Sequence, residues 1–412
     1  MTNKHTEDAQ ASPDTVEARN LVVCCDGTSN EIGKQISNVL KLYRIAEKNE
    51  HQIVFYQPGI GTVAMPDSWG QWRQKARALF EMGTGYGLDR DVLNAYCFLA
   101  SHYRKGDRIF LFGFSRGAYT VRVVAGMLYL IGLLREHQMN FAGYALKAYK
   151  GASTSDDYAL ARDFREIMRP EPVPIHFLGV WDTVASVVVP GRLPFSEMRL
   201  QKLPHTSNNP AVATFRHAMA IDEFRRMFRV EPWSDPQTFK PNRHAKATAE
   251  SPQDIRQVWF AGCHSDVGGG FVEDESALSK YPLHWMLEQA ADKGLRIRRA
   301  MVNHVVLGKK RKNAKLYTAP TPNGPLHRSL TLPWRLVEWL PKNVRFREWP
   351  GRRSLFGHYL PRGEPRFIGA GSLIHSSVEA RLRENRSYTP SNLPESYETE
   401  STNGAPPSTG ER

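Results

Sequence analysis

Five short apolar runs, separated by stretches of helical periodicity, restrict this chain to one class of fold. The runs are 20–25 (NLVVCC), 53–56 (IVFY), 108–112 (RIFLF), 175–181 (IHFLGVW) and 255–261 (IRQVWFA), each rich in β-branched or aromatic residues and each followed within two residues by Gly, Asp or Pro. Helical patterns occupy 37–48, 88–103, 117–134, 158–168 and 281–293. Strands that alternate with helices build βαβ units, so the expectation is an α/β protein with a mostly parallel sheet covered on both faces. Such sheets carry their chemistry at the carboxyl ends of the strands, and the polar motifs are read there.

With 412 residues the chain has room for a large core. Residues 1–19 and 385–412 are polar and poor in apolar groups, and they read as disordered tails around a domain spanning 20–384. Within it, 135–172 and 190–254 are expected to be cap insertions over the site, and 295–384 a basic, aromatic extension. No run approaches the ~20 apolar residues a membrane-spanning helix needs; the most apolar stretch, 121–134, is short and contains Arg122. The N-terminus lacks the apolar core of a Sec signal peptide, and the four cysteines (Cys24, Cys25, Cys97, Cys263) form neither a CxxC zinc pattern nor a disulfide framework. A cytoplasmic, reducing location follows as the expectation.

The sharpest local signal is Gly113-Phe114-Ser115-Arg116-Gly117, directly after one apolar run and directly before a helical pattern. A G-x-S-x-G in that setting is a nucleophile elbow. The serine sits on a tight strand-to-helix turn, and Gly113 and Gly117 flank it because a Cβ at either place would collide with the strand or the helix. The turn also leaves the Arg116 N–H at a helix N-terminus, aimed where an oxyanion develops.

A serine needs a base and an acid, which in this chain order follow it as acid and then histidine. Asp182 closes the IHFLGVW run 67 residues later, and His264 follows the last run in a Gly-rich turn, CHSDVGGG. Asp222 and Asp266 are rival acids, and His375, in IHSS, is the rival base. The first run ends in Cys24-Cys25-Asp26-Gly27-Thr28, whose Gly27 and Thr28 N–H groups are candidates for the second half of the oxyanion hole. The same turn is similar to the D-x-D-G-T of aspartyl phosphatases, but Cys24 stands at the nucleophile's place. Asp26, His264 and Asp266 make a weak metal trio, and neither a metal nor a cofactor is expected.

Six motifs occur in a fixed order: DGTSN at 26–30, FYQPGIGT at 55–62, LFGFSRGAYTVR at 111–122, FLGVWDTV at 177–184, AIDEFRRMF at 220–228 and FAGCHSDVGGGF at 260–271. Together they resemble the bacterial α/β-hydrolase domain family that includes the first family of type VI secretion phospholipase effectors, over about residues 20–290. The resemblance implies an α/β-hydrolase-like three-layer sandwich and a triad at Ser115, Asp182 and His264. It also implies cleavage of acyl esters, with lipids or phospholipids as the substrate class. Type VI export becomes a candidate route; the large extra membrane-docking module of the longer effectors is not expected here, which leaves a cytoplasmic esterase open.

Lys plus Arg outnumber Asp plus Glu by 55 to 42, which favours anionic partners. Residues 332–368 interleave Trp334, Trp339, Phe346, Trp349, Phe356 and Tyr359 with arginines and a lysine, a composition suited to peripheral contact with a membrane surface. No nucleic-acid-binding motif accompanies the charge, so nucleic acid is not an expected partner. The alternative to an enzyme is a non-catalytic membrane-associated or protein-interaction module on the same scaffold.

Overall fold

The computed structural model describes residues 18–27, 35–59, 86–153, 158–184, 188–190, 198–200, 203–243, 246–344, 347–349 and 351–402. Eight strands form the central sheet: β1 (Asn20–Cys25), β2 (Gln52–Gln57), β3 (Arg108–Phe114), β4 (Ile175–Trp181), β5 (Val212–Ala220), β6 (Asp254–Phe260), β7 (Leu373–His375) and β8 (Glu398–Glu400). Their spatial order is β2-β1-β3-β4-β5-β6-β7-β8. Every pairing is parallel.

The five apolar runs become β1, β2, β3, β4 and β6, as their composition predicts. The described α-helices of eight residues or more are α1 (Asn38–Ile45), α2 (Tyr86–His102), α3 (Arg116–Leu130), α4 (Ala142–Gly151), α5 (Ala159–Met168), α6 (Lys280–Asp292) and α7 (Ser376–Glu384). Side chains alternate across each strand, so Leu21, Val23, Ile109 and Leu111 pack under α2, α3 and α4, while Val22, Phe110, Phe112 and Trp181 pack under α1 and α6. Burying each such side chain contributes about 1.5–3 kcal/mol, and both faces of the sheet are covered.

Three features depart from the sequence-based expectation. Residues 190–254 are not simply a cap, because they contain β5, a central strand. Its sequence, VATFRHAMA, interleaves Thr214, Arg216 and His217 among apolar residues, which hides the strand. Those groups are buried with partners: Arg216 pairs with Asp254 at 2.8 Å, and the Thr183 N–H donates to His217 Nε2 at 3.1 Å. In 135–172, Ala145, Leu146, Ala148 and Tyr149 of α4 and Phe164 of α5 join the core with α2 and α3, so this insertion widens a helical layer. The C-terminal stretch expected to be loose supplies the edge strand β8, and its Tyr388 hydroxyl donates to Asp222 at 2.9 Å. Residues 1–17 and 403–412 lie outside the described residues.

The rival base His375 is structural. Its Nδ1 accepts the Ser377 N–H at the start of α7, its Nε2 meets Thr402 Oγ1 at 2.9 Å, and its ring stacks on Phe260. Burial pushes this imidazole down to about 3. The unfolded chain protonates the same ring near 6.5, so between these values unfolding takes up a proton and stability falls as pH falls. Urea midpoints should therefore drop from pH 6.5 towards pH 4, at up to about 1.4 kcal/mol per pH unit for this one proton. His375→Gln should flatten the profile, and equal slopes in the two chains would exclude the assignment.

Candidate active site

The strand order reverses at β1. The chain passes from β1 out to β2, then crosses back to β3 on the other side of β1 and continues in one direction. A crevice opens at the carboxyl ends of strands at such a switch point. Asp26 follows β1, Ser115 follows β3, Asp182 follows β4, and His264 lies four residues after β6.

Ser115 sits between Phe114 and α3 at φ 56°, ψ −121°, a left-handed conformation unusual for a side-chain-bearing residue. Its N–H donates to the Trp181 carbonyl at 3.1 Å, tying the turn to the neighbouring strand. The two glycines are sterically required: a Cβ on Gly113 would lie 2.4 Å from the Gly117 oxygen, and one on Gly117 would lie 2.1 Å from the Cys25 oxygen. Asp182 is also held at positive φ, 40°, so two of the seven described non-glycine residues in this region belong to one hydrogen-bonded chain. Backbone strain of this kind concentrates at functional sites.

That chain runs through His264. Its Nε2 lies 2.8 Å from Ser115 Oγ and its Nδ1 lies 2.5 Å from Asp182 Oδ2. Phe114 lies 4.7 Å from the imidazole, ring centre to ring centre, and Phe228 meets it edge-on at 5.0 Å, so aromatic groups fix the ring plane. The His264 N–H donates to Glu223 Oε2 at 3.3 Å, and Glu223 is itself gripped by Arg225. Asp182 and His264 are buried, whereas Ser115 is half-buried.

The Asp182 carboxylate accepts from His264, from the Ala220 N–H at 2.9 Å, and from both terminal nitrogens of Arg366 at 2.6 and 2.9 Å. Burial disfavours its charge, but the Arg366 guanidinium and the imidazole outweigh burial and hold the carboxyl well below the usual carboxylate range. This group is ionised at neutral pH and placed to orient and stabilise an imidazolium.

The rival acids have other partners. Asp222 accepts the Gly262 N–H and the Tyr388 hydroxyl. Asp266 binds the Cys263 and His327 N–H groups and the His327 ring. Asp26 accepts Ser37 Oγ at 2.5 Å and Tyr56 Oη at 2.7 Å, bracing the turn after β1. Among the described residues no three His, Cys, Asp or Glu side chains converge on a metal position, so the Asp26–His264–Asp266 trio does not assemble. The Gly27 N–H, expected to face the serine, donates to Asp26 Oδ1 at 2.7 Å, and Thr28 lies outside the described residues.

Residues 19–289 match the family described as "T6SS, Phospholipase effector Tle1-like, catalytic domain". The chain belongs to that family. An uncharacterized protein of Saccharomyces cerevisiae is 34% identical over 227 residues, which is 51% of this chain and 32% of the yeast protein. Two solved structures are each 18% identical. One is an uncharacterized protein from Pseudomonas aeruginosa, at TM-score 0.37 over 68% of this chain and 46% of that one. The other is the Tle1 effector bound to the VgrG spike of a type VI secretion system, at TM-score 0.29 over 67% and 57%. This chain thus spans about a third of the yeast relative's length and about half of each solved relative's.

The Tle1-like match ends before residue 290, yet Arg366, which binds both oxygens of Asp182, lies well beyond it. Sequence reading missed this residue. Arg366 belongs to the 332–368 segment, whose composition suits either membrane contact or aromatics packed on the core with the arginines outside. Much of that segment packs inward: Tyr359 is buried against Arg226, Trp349 Nε1 donates to the Pro365 carbonyl, and Arg352 pairs with Glu364. Phe228 was missed in its role too, although it lies in a quoted motif. Nothing in linear sequence distinguishes a phenylalanine that abuts the His264 ring from one in the core.

Proposed function

We propose that this chain is a serine hydrolase that cleaves the carboxylic esters of lipids, phospholipids foremost, through Ser115, His264 and Asp182. The observation that carries the reading is the continuous Asp182–His264–Ser115 hydrogen-bond chain at the carboxyl ends of β3, β4 and β6, with the serine on a strained elbow. In this reading Ser115 Oγ attacks the ester carbonyl while His264 Nε2 takes its proton, and the Arg116 N–H at the start of α3 donates to the developing oxyanion. The imidazolium returns the proton to the departing alcohol oxygen. Water, deprotonated by the same imidazole, then attacks the acyl carbonyl, and the bond to Ser115 Oγ breaks as the imidazolium returns the proton to that oxygen, releasing the acyl group as a carboxylic acid that ionises. Asp182 stays ionised throughout and holds the imidazole in the tautomer that accepts from serine. No step calls for a metal or cofactor.

Lipid is favoured as substrate by the family and by the surface beside the site. Leu332, Leu336, Trp339 and Phe356 stand in solvent, Phe356 at 91% exposure, among the exposed Arg335 and Arg353. Such a mixture suits peripheral docking on an anionic bilayer. Among the described residues no helix is long and apolar enough to cross a membrane. Delivery by a type VI system is part of the same proposal.

A fluorophosphonate probe, applied with and without vesicles of phosphatidylethanolamine and phosphatidylglycerol, tests the reading. The expected result is one covalent adduct, mapped by mass spectrometry to the peptide carrying Ser115, together with fatty-acid release that persists in chelator. A folded protein that gives no adduct under either condition, or one at another serine, would overturn it.

A further inference from the structure

We infer that Arg366 is a positioning residue of the active site: its guanidinium grips the Asp182 carboxylate and the Phe228 carbonyl together, and so completes the machinery aiming His264 at Ser115. The inference rests on the triad reading above and adds a group from outside the 19–289 family match.

Arg366 is buried, and its fork meets the carboxylate with two parallel bonds, Nη1 to Oδ1 at 2.6 Å and Nη2 to Oδ2 at 2.9 Å. With the Ala220 N–H on Oδ1 and His264 on Oδ2, each oxygen has two partners, and the carboxylate cannot rotate away from the imidazole. The same guanidinium donates to the Ala220 carbonyl at 3.0 Å and to the Phe228 carbonyl. The Phe228 ring forms one wall of the His264 slot. Arg366 therefore holds both the acid and an aromatic wall, and a lysine cannot reproduce that planar geometry.

The backbone around Arg366 is fixed as well. Trp349 Nε1 donates to the Pro365 carbonyl at 2.7 Å, Asn392 Nδ2 to the Arg366 carbonyl at 3.1 Å, and the Phe367 N–H to Glu348 Oε2 at 3.0 Å. Glu348 also pairs with Arg226 and Arg229, on either side of Phe228, at 2.7 and 2.8 Å. The segment carrying the aromatic wall and the segment carrying Arg366 are laced into one unit.

A purely structural counter-ion would matter for folding and not for the pH dependence of catalysis, and this difference supplies the test. Wild type, R366K and R366M are compared as full-length chains on a soluble short-chain ester, with the folded fraction measured by near-ultraviolet circular dichroism. R366M should lose about 100-fold in kcat with little change in KM, the size expected when a catalytic group is held slightly out of line. Losing the guanidinium removes a cation from beside the Asp182–His264 pair, so the pair takes up a proton more readily and the acid limb of kcat/KM should move up by about one pH unit. R366K keeps a positive charge and should hold the limb near wild type while losing about tenfold in kcat, because one ammonium cannot grip both oxygens and the carbonyl.

A wild-type kcat and acid limb in R366M would overturn the inference. So would activity that falls only in step with the folded fraction while the limb stays still. Should R366M be recovered unfolded, R366Q replaces it against R366K: a higher limb in R366Q supports the role, and coincident limbs overturn it. A wild-type chain that gives no adduct at Ser115 brings down the triad reading itself; a chain labelled at Ser115 with unmoved Arg366 variants brings down only this inference.

Discussion

Ser115→Ala is expected to lower kcat by roughly 10⁵-fold or more and to abolish the fluorophosphonate adduct, leaving the chain folded. The size follows from removing the nucleophile: neither imidazole nor carboxylate has a proton to take, and any residue of rate comes from binding and oxyanion stabilisation. The fold should survive because the Ser115 side chain bonds only to His264 among the described contacts, while the backbone bond from Ser115 to Trp181 needs no side chain. Ser115→Gly makes a second reading of the same position. Glycine reaches φ 56° without the steric penalty that serine bears, so this variant should be equally inactive yet more stable by about 1 kcal/mol. Urea midpoints check the stability, and initial rates on a short-chain ester check the activity. Turnover within tenfold of wild type in Ser115→Ala would remove the nucleophile assignment.

Gly117→Ala is expected to cost about 3 kcal/mol of stability, with activity lost beyond the folded fraction. The new Cβ would stand 2.1 Å from the Cys25 oxygen and 2.6 Å from the Asp26 oxygen. These are backbone atoms at the end of β1, paired in register with β2 and β3, so relief requires α3 to retreat from the sheet and carry the Ser115 turn with it. Gly143→Ala serves as the opposite case. Gly143 lies in α4 with nothing within 4 Å of its added Cβ, so the substitution should raise stability by about 0.5–1 kcal/mol through helix propensity. Chemical denaturation of the two variants beside wild type gives both signs in one experiment, and a Gly117→Ala chain as stable as wild type would refute the packing argument.

Much of this architecture is legible in the chain because its cause is local. A buried parallel strand must be apolar along its whole length, and so β1, β3 and β4 announce themselves. An elbow needs glycine on both sides of its serine, and so Gly113 and Gly117 mark Ser115. Because strand ends were legible, Asp182 at the end of β4 and His264 after β6 stand out in the sequence as candidates. β5 was not, since its buried Arg216 and His217 are acceptable only beside Asp254 and the Thr183 N–H, partners that no local pattern reveals. His264 and His375 both follow a strand, and the difference between them is strand order: His375 ends β7, one position farther from β3 than β6 is.

The sequence by itself determined the layered α/β fold, the family, and a short set of strand-end aspartates and histidines beside the elbow serine, because periodicity, glycine spacing and strand-end placement are properties of neighbouring residues. Only the tertiary structure decided which aspartate faces the imidazole, which histidine faces the serine, and that one arginine among 55 basic residues is buried against Asp182. A charge is tolerated in a core only where its opposite is brought to it, and in this chain the two are 184 residues apart.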